Sequence, residues 1–231
     1  MNTITAALAA AAIAAPIAAA EPMSYIADNR LLVAYGAQRS GSDQFSEASE
    51  RLRPFAAFTD WNQNAGAGTG SALGFATIDS ALTGTSIDAV GFASAAALFP
   101  ADTLNYASAL GASLHEISFA ISDTTTFALQ ATLTADTPGA SSIRLTDNAL
   151  GAGAIIYQAI NTDGTSTVDQ QFTLGAGQYT LAFQAQTAIT LTSPGNASGS
   201  ARYDANWTIV PAPATTLIPL MGLAATMRRR R

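Results

Sequence analysis

The sequence predicts an all-β body, an antiparallel β-sandwich of jelly-roll or Ig-like type, flanked by an N-terminal signal peptide and a C-terminal apolar helix. Three observations predict it. From Leu114 onward, apolar and polar residues alternate in run after run, and a period of two with one polar side marks sheets packed on one face. Turn-forming clusters such as Asp136 to Gly139 and Asn161 to Gly164 separate the runs, as in an all-β sandwich. The two ends break the pattern: each is an uncharged apolar stretch, and the second closes on four arginines.

Residues 1–20 are dominated by alanine, with Ile4, Leu8, Ile13 and Ile17, and end Ala18-Ala19-Ala20 before Glu21. An apolar stretch closing on a small-x-small site reads as a secretory signal peptide, although Met1-Asn2-Thr3 brings no basic side chain. Residues 21–209 are assigned to the β-sandwich domain. Leu31 to Tyr35 is a strand. Asp43 to Arg53 is ambiguous, since Phe45, Ala48 and Leu52 fit a helix that Pro54 would end. Residues 64–74 are Gly-rich and read as a flexible connector. They are not a phosphate loop, because the lysine that motif needs is absent and no helix start follows.

Phe75 to Ser80 and Ile87 to Ala93 are short strands. Ile117, Phe119 and Ile121, then Phe127, Leu129, Ala131 and Leu133, alternate on either side of Asp123-Thr124-Thr125, which predicts a hairpin. Ile143 and Leu145, Ile155 to Ile160, and Phe172 with Leu174 continue the series. Tyr179, Leu181, Phe183 and Ala185, then Tyr203, Ala205, Trp207 and Ile209, form the last inward faces. Tyr179, Phe183, Tyr203 and Trp207 thus share faces with aliphatic residues and are expected in the core rather than on a sugar-binding platform.

After Ile209 the chain reads Val210-Pro211-Ala212-Pro213, then fourteen uncharged residues from Ala214 to Met227, then Arg228, Arg229, Arg230 and Arg231. A spanning helix takes about 20 apolar residues, so this is a marginal span. The arginine block is expected to hold the C-terminus on the cytoplasmic side and leave the body outside. This layout of proline motif, short apolar helix and terminal arginine cluster resembles the PEP-CTERM sorting signal of bacterial surface proteins. The resemblance covers residues 210–231 and implies an exosortase-type membrane protease or transpeptidase as partner, with the protein tethered at the inner membrane before processing. It places the sorting motif on Val210, Pro211, Ala212 and Pro213, and the membrane stop on Arg228 to Arg231. The family's usual Glu between the prolines is Ala212 here.

The chain of 231 residues has no cysteine, and its ten basic residues are all arginine. Removing the four tail arginines leaves six basic against sixteen acidic residues, a formal charge of −10 for the body. Such a surface repels nucleic acid, so no nucleic-acid partner is expected. His115 is the sole histidine. Without a nucleophile elbow near it, a structural role outweighs a Ser-His-Asp site, and one His without Cys excludes a His/Cys metal site. Asn161, Asp163 and Asp169 offer oxygen ligands for calcium without the spacing of an EF-hand loop. Asn196-Ala197-Ser198 and Asn206-Trp207-Thr208 match the glycosylation pattern.

No catalytic residue, metal ligand or cofactor is therefore assigned. The expected function is that of an exported bacterial surface or extracellular-matrix protein with a structural or adhesive, non-enzymatic role. The alternatives are a carbohydrate-binding module associated with exopolysaccharide and a secreted hydrolase using two carboxylates.

Overall fold

The alternation resolves into antiparallel strands that follow the chain without an intervening helix among the described residues. The structure is a computed structural model and describes residues 23–40, 44–100, 104–149 and 153–211. The expected signal peptide, the apolar tail helix, Ala212, Pro213 and Arg228 to Arg231 lie outside that set. In order the strands are β1 (Ser24–Asp28), β2 (Leu31–Ser40), β3 (Gln44–Leu52), β4 (Trp61–Thr69), β5 (Ala72–Leu82), β6 (Ser86–Phe99) and β7 (Leu104–Ile121). Then come β8 (Thr125–Asp136), β9 (Gly139–Asp147), β10 (Ala154–Asn161), β11 (Gly164–Leu174), β12 (Gly177–Leu191) and β13 (Gly195–Ile209).

They form two sheets. Sheet I runs β10-β9-β12-β7-β2-β3, with β1 also on β7, and sheet II runs β11-β8-β13-β6-β5-β4. The last eight strands pair as β6 with β13, β7 with β12, β8 with β11 and β9 with β10. These nested pairs, alternating between the sheets, are the wrapping of a jelly roll rather than an Ig-like sandwich. The earlier strands extend the jelly roll on one side, β2 and β3 in sheet I, β5 and β4 in sheet II. The unit Ala20–Val210 is compact and contains both sheets, as a self-contained folding domain does.

Strand β7 shows how the sequence sets the gap between the sheets. Its inward side reads Ala107, Ala109, Gly111, Ser113, His115, Ile117, Phe119, Ile121, growing from small to large along the strand. At the large end, Phe119, Phe127, Phe183, Tyr203 and Trp207 are buried together. There Phe127 stacks on Trp207 with ring centroids 4.8 Å apart. At the small end the buried residues are mostly alanine, from Ala72, Ala95 and Ala97 to Ala107 and Ala109.

The small end brings backbone against backbone. A Cβ on Gly111 would sit 2.3 Å from the Phe75 carbonyl oxygen and 2.5 Å from that of Ser94. One on Gly74 would sit 2.0 Å from the Leu110 oxygen, and one on Gly36 would sit 2.4 Å from the Ala72 oxygen. Sheets ordinarily stack about 10 Å apart to make room for side chains; this seam omits them.

Three expectations are corrected and one ambiguity is settled. Residues 64–74 are not a flexible connector: they are most of β4, a turn at Gly70-Ser71 and the start of β5, because Ala65 and Ala67 alternate inward with Gly66 and Gly68 outward. Residues 44–52 are the edge strand β3, not a helix. Strands β5, β6 and β7 are longer than expected, because alanine and glycine, which carry little apolar signal, fill their inward positions in the seam. The runs around Asp123 do not form a hairpin. Strand β7 pairs with β12 and β8 pairs with β11 and β13, so the chain arches from sheet to sheet. Period two marks a buried side and cannot tell a hairpin from an arch.

Gly111→Ala is expected to lower stability by about 1–3 kcal/mol through overpacking, read as a lower midpoint of chemical denaturation. In Gly66→Ala the added methyl meets only the Phe75 ring, at 3.5 Å, and the midpoint stays put. Equal losses from the two substitutions would rule out the close approach.

Candidate functional site

The polar groups of the interior gather where the gap widens. Strands β1 and β2 run along the same edge of β7, interrupted at Asn29 and Arg30. The break turns Arg30 inward, where it is 1 % exposed. Its Nε and Nη2 donate to the two oxygens of Asp28 at 2.9 and 2.6 Å, and Nη1 donates to Ser80 Oγ at 2.8 Å. The guanidinium also lies 5.8 Å from the centroid of the Trp61 ring. Asp28 accepts a further bond from the Phe58 backbone N–H at 2.8 Å. That bond and the stacking of Phe58 on Tyr25 hold Phe58 at φ 60°, a region costly for a bulky residue. One ion pair thus ties β1, the β3–β4 loop, β4 and β5 together.

His115 lies fully buried beside this cluster, its ring 5.7 Å from that of Phe183. Neither ring nitrogen has a hydrogen-bond partner among the described residues. Burial, assisted by the Arg30 charge, pushes its pKa down to about 3, so the imidazole is neutral. Tyr203 shares its hydroxyl with Ser113 Oγ at 3.3 Å and is raised by burial. For Asp28, burial opposes ionisation, yet the bonds from Arg30 and Phe58 hold its pKa below the usual 3.8. A neutral, sealed histidine and a closed Asp-Arg pair have no path to a substrate. This cluster fastens the fold.

The remaining candidate surfaces are the outer faces of the sheets. On sheet I, Leu31, Val33 and Tyr35 of β2 lie opposite Leu114, Ala112 and Leu110 of β7, all half-buried, which makes a continuous apolar stripe. Tyr106 extends it along β7, and Gln184 and Gln186 of β12 flank it. The Tyr35 hydroxyl is raised by partial burial, then by the charges of Glu47 and Tyr106. On sheet II the outer face is mixed: Phe75 and Phe92 pack together and Leu73 and Leu98 are exposed, while Thr126 is bonded to Thr173 and Asn206 to Asp88. An open groove of about 850 Å³ crosses its end, lined by Thr69, Ser71, Leu73, Leu98, Asn196 and Ser198.

The residues singled out from sequence disperse. Tyr179, Phe183, Tyr203 and Trp207 are in the core. His115 is inside, in the middle of β7. Asn161 donates its amide to the carbonyls of Leu133 and Gly164, at 3.0 and 2.8 Å, and so closes the turn. Asp169 instead faces outward from β11 opposite Gln130, so the three calcium candidates do not converge. Among the described residues no cluster of three His, Cys, Asp or Glu is placed to hold a metal. Asn206 is engaged by Asp88, and Asn196 borders the groove. Val210 donates its N–H to the Thr126 carbonyl at 2.8 Å, and Pro211 beyond it is exposed. Sequence reasoning missed Arg30 and the Tyr35 stripe. The Asp28-Asn29-Arg30 turn signal inside an apolar stretch was the available cue for the first; the second gives no cue, because both faces of β2 are apolar.

No known protein family matches the chain, and no curated protein matches it. One similar solved structure is described as "CBM4 structure and function"; at 15 % identity the match covers 44 % of this chain and 84 % of that one, with a TM-score of 0.28. Another is the enzymatically active domain of bacteriophage CBA120 tailspike protein 4, also 15 % identical, matched over 58 % of this chain and 19 % of that one, with a TM-score of 0.23. Likenesses at this level do not bear on function.

The buried imidazole gives the protein an acid-sensitive core. Between pH 6.5 and about 3 the unfolded chain binds a proton at His115 that the folded chain refuses, so stability falls as pH drops through that window. In His115→Leu the denaturation midpoint is expected to stay flatter from pH 7 to 5 than in the parent. Parallel pH profiles for the two proteins would contradict a neutral buried imidazole.

Proposed function

We propose that this is an exported bacterial surface or matrix protein with a structural or adhesive, non-enzymatic role, delivered by its PEP-CTERM-like tail to an exosortase-type enzyme. What carries the reading is where the chemistry lies. His115, Asp28 and Arg30, the charged and imidazole groups of the interior, are spent inside the fold, while the outer faces carry Thr, Ser, Gln and Asn with scattered charges such as Asp88, Arg144, Asp169 and Asp204. Rows of Thr, Ser, Gln and Asn on a cysteine-free, lysine-free chain suit a long-lived extracellular surface. The junction also fits: the last strand passes into the motif with no stalk, so the processing enzyme works close to the folded body.

A second reading, a carbohydrate-binding module, is favoured by one observation, the half-buried Tyr35 and Tyr106 on the outer stripe of sheet I, with Ser49 opposite Tyr35 and the Ser108–Thr190 hydroxyl pair on the same face. A ring lying on a sheet face, with hydroxyls near it, offers a sugar both an apolar surface and hydrogen-bond partners. A glycan array with residues 21–210 is the test, with calcium titrated in. Binding that Tyr35→Ala weakens at least tenfold supports this reading, and silence throughout removes it.

Sorting is tested separately. Deleting residues 210–231 is expected to leave the protein unprocessed and released or mislocalised, and the wild-type C-terminal mass is expected to fall short of Arg231. Unchanged location, with the wild type still ending at Arg231, would overturn the proposal.

A further inference from the structure

Each of the two sheets ends in two open strands, and three of these four edges are defended. Strand β3 carries Glu47, Glu50 and Arg51. The edge of β4 is capped from β3, since Glu50 accepts the Gly66 backbone N–H at 2.8 Å. Strand β11 carries Asp169 among exposed Thr and Gln. Lysine-type charges, caps and short polar edges are how sheets avoid unwanted strand addition. Strand β10 has no such device. It reads Ala-Ile-Ile-Tyr-Gln-Ala-Ile-Asn, with no charge, no glycine and no proline. Among the described residues it pairs with β9 on one side only. Ile155, Ile156 and Ile160 are 57, 41 and 61 % exposed, three of the exposed large apolar side chains on one strand.

We infer that β10 is a self-association edge, at which a second copy of this chain adds its own β10 antiparallel, continuing sheet I across a two-fold axis. The occupant follows from the charge and the pattern. The body carries −10, so two copies repel through most of their surfaces, and an uncharged edge is where they meet at least electrostatic cost. The strand is also self-complementary. The bulge between Ile155 and Tyr157 leaves Ile156, Gln158 and Ile160 on the outer side, opposite the sheet side of Tyr157 and Ala159. A two-fold axis at Gln158 sets Ile156 of each copy against Ile160 of the other, Gln158 against Gln158, and Tyr157 against Ala159. Every side chain then meets one from the same side of the sheet, the unpaired N–H and C=O groups of the edge find partners, and an isologous interface closes on itself. The nearest acids, Asp147 at the end of β9 and Asp163 in the β10–β11 turn, flank the contact, so association strengthens with salt rather than weakening. The inference is independent of how the protein is sorted and of whether it binds sugar.

Sedimentation of residues 21–210 tests it, and the cysteine-free chain permits a sharper companion. The parent is expected to show a concentration-dependent monomer–dimer equilibrium. Ile160→Lys and Ile156→Lys are expected to abolish the dimer with the thermal midpoint unchanged, while Phe45→Lys, on the exposed part of β3, leaves it intact. A lone cysteine introduced as Gln158→Cys lies on the axis and is expected to give a disulfide-linked dimer under mild oxidation, whereas Phe45→Cys gives none. A parent that stays monomeric at every concentration, a dimer that survives both lysines, or equal cross-linking at positions 158 and 45 would each overturn the assignment.

Discussion

The closeness of the two sheets at Gly36, Gly74 and Gly111 is the constraint from which the rest of the structure follows. Side chains there would strike backbone oxygens of the facing sheet, so the inner face of each strand must be glycine or alanine over that stretch. Strand β7 spans the whole gradient, and its partners keep pace. On β5 the inward series is Ala72, Gly74, Ala76, Ile78 and Ser80; on β13 it runs from Gly199 and Ala201 to Tyr203 and Trp207. Backbones in direct contact gain many weak dispersion contacts in place of the burial of large side chains. The aromatic end supplies that burial instead, with each large side chain contributing about 1.5–3 kcal/mol when removed from water.

Between the two ends lies the polar cluster of Asp28, Arg30 and Ser80, with His115, Phe183 and Tyr203 beside it. Removing one partner from a buried ion pair costs about 3–5 kcal/mol, whereas replacing both with well-packed apolar groups is often neutral. The pair therefore contributes less through its own attraction than through geometry. Arg30 and Asp28 fix the break between β1 and β2, and the Phe58 N–H brings the β3–β4 loop onto the same carboxylate. His115 is the cost of this arrangement, since both of its nitrogens are buried without a partner among the described residues.

The strands of the aromatic end were legible because Phe, Leu, Ile and Tyr alternating with Thr and Gln leave a period-two record. Their membership of a core was legible for the same reason, and Trp207 and Phe183 lie where that pattern puts them. The seam was not legible. Alanine and glycine contribute almost nothing to an apolar alternation, so residues 64–74 looked like a linker although their side chains, or the lack of them, are what lets the sheets meet. Connectivity was also hidden. The same alternation on β7 and β8 fits a hairpin as well as an arch, and only the pairing of β7 with β12 distinguishes them. Of the candidate site, the sequence put His115 on the same face as Ile117 and Phe119, where it is buried, but it could not reveal Arg30 as its neighbour, because that contact depends on a break in an edge strand.

The outer sheet faces and the open edges stay in place only if the thin seam is as solid as the aromatic end. Residue-resolved amide hydrogen exchange on residues 21–210 tests that most directly. The amides of Gly36, Gly74 and Gly111 should exchange as slowly as those of Phe119 and Trp207, at the rate of global unfolding. Exchange of the glycine amides at the rate of the Asn161–Gly164 turn, with the aromatic end still protected, would contradict the close-packed seam.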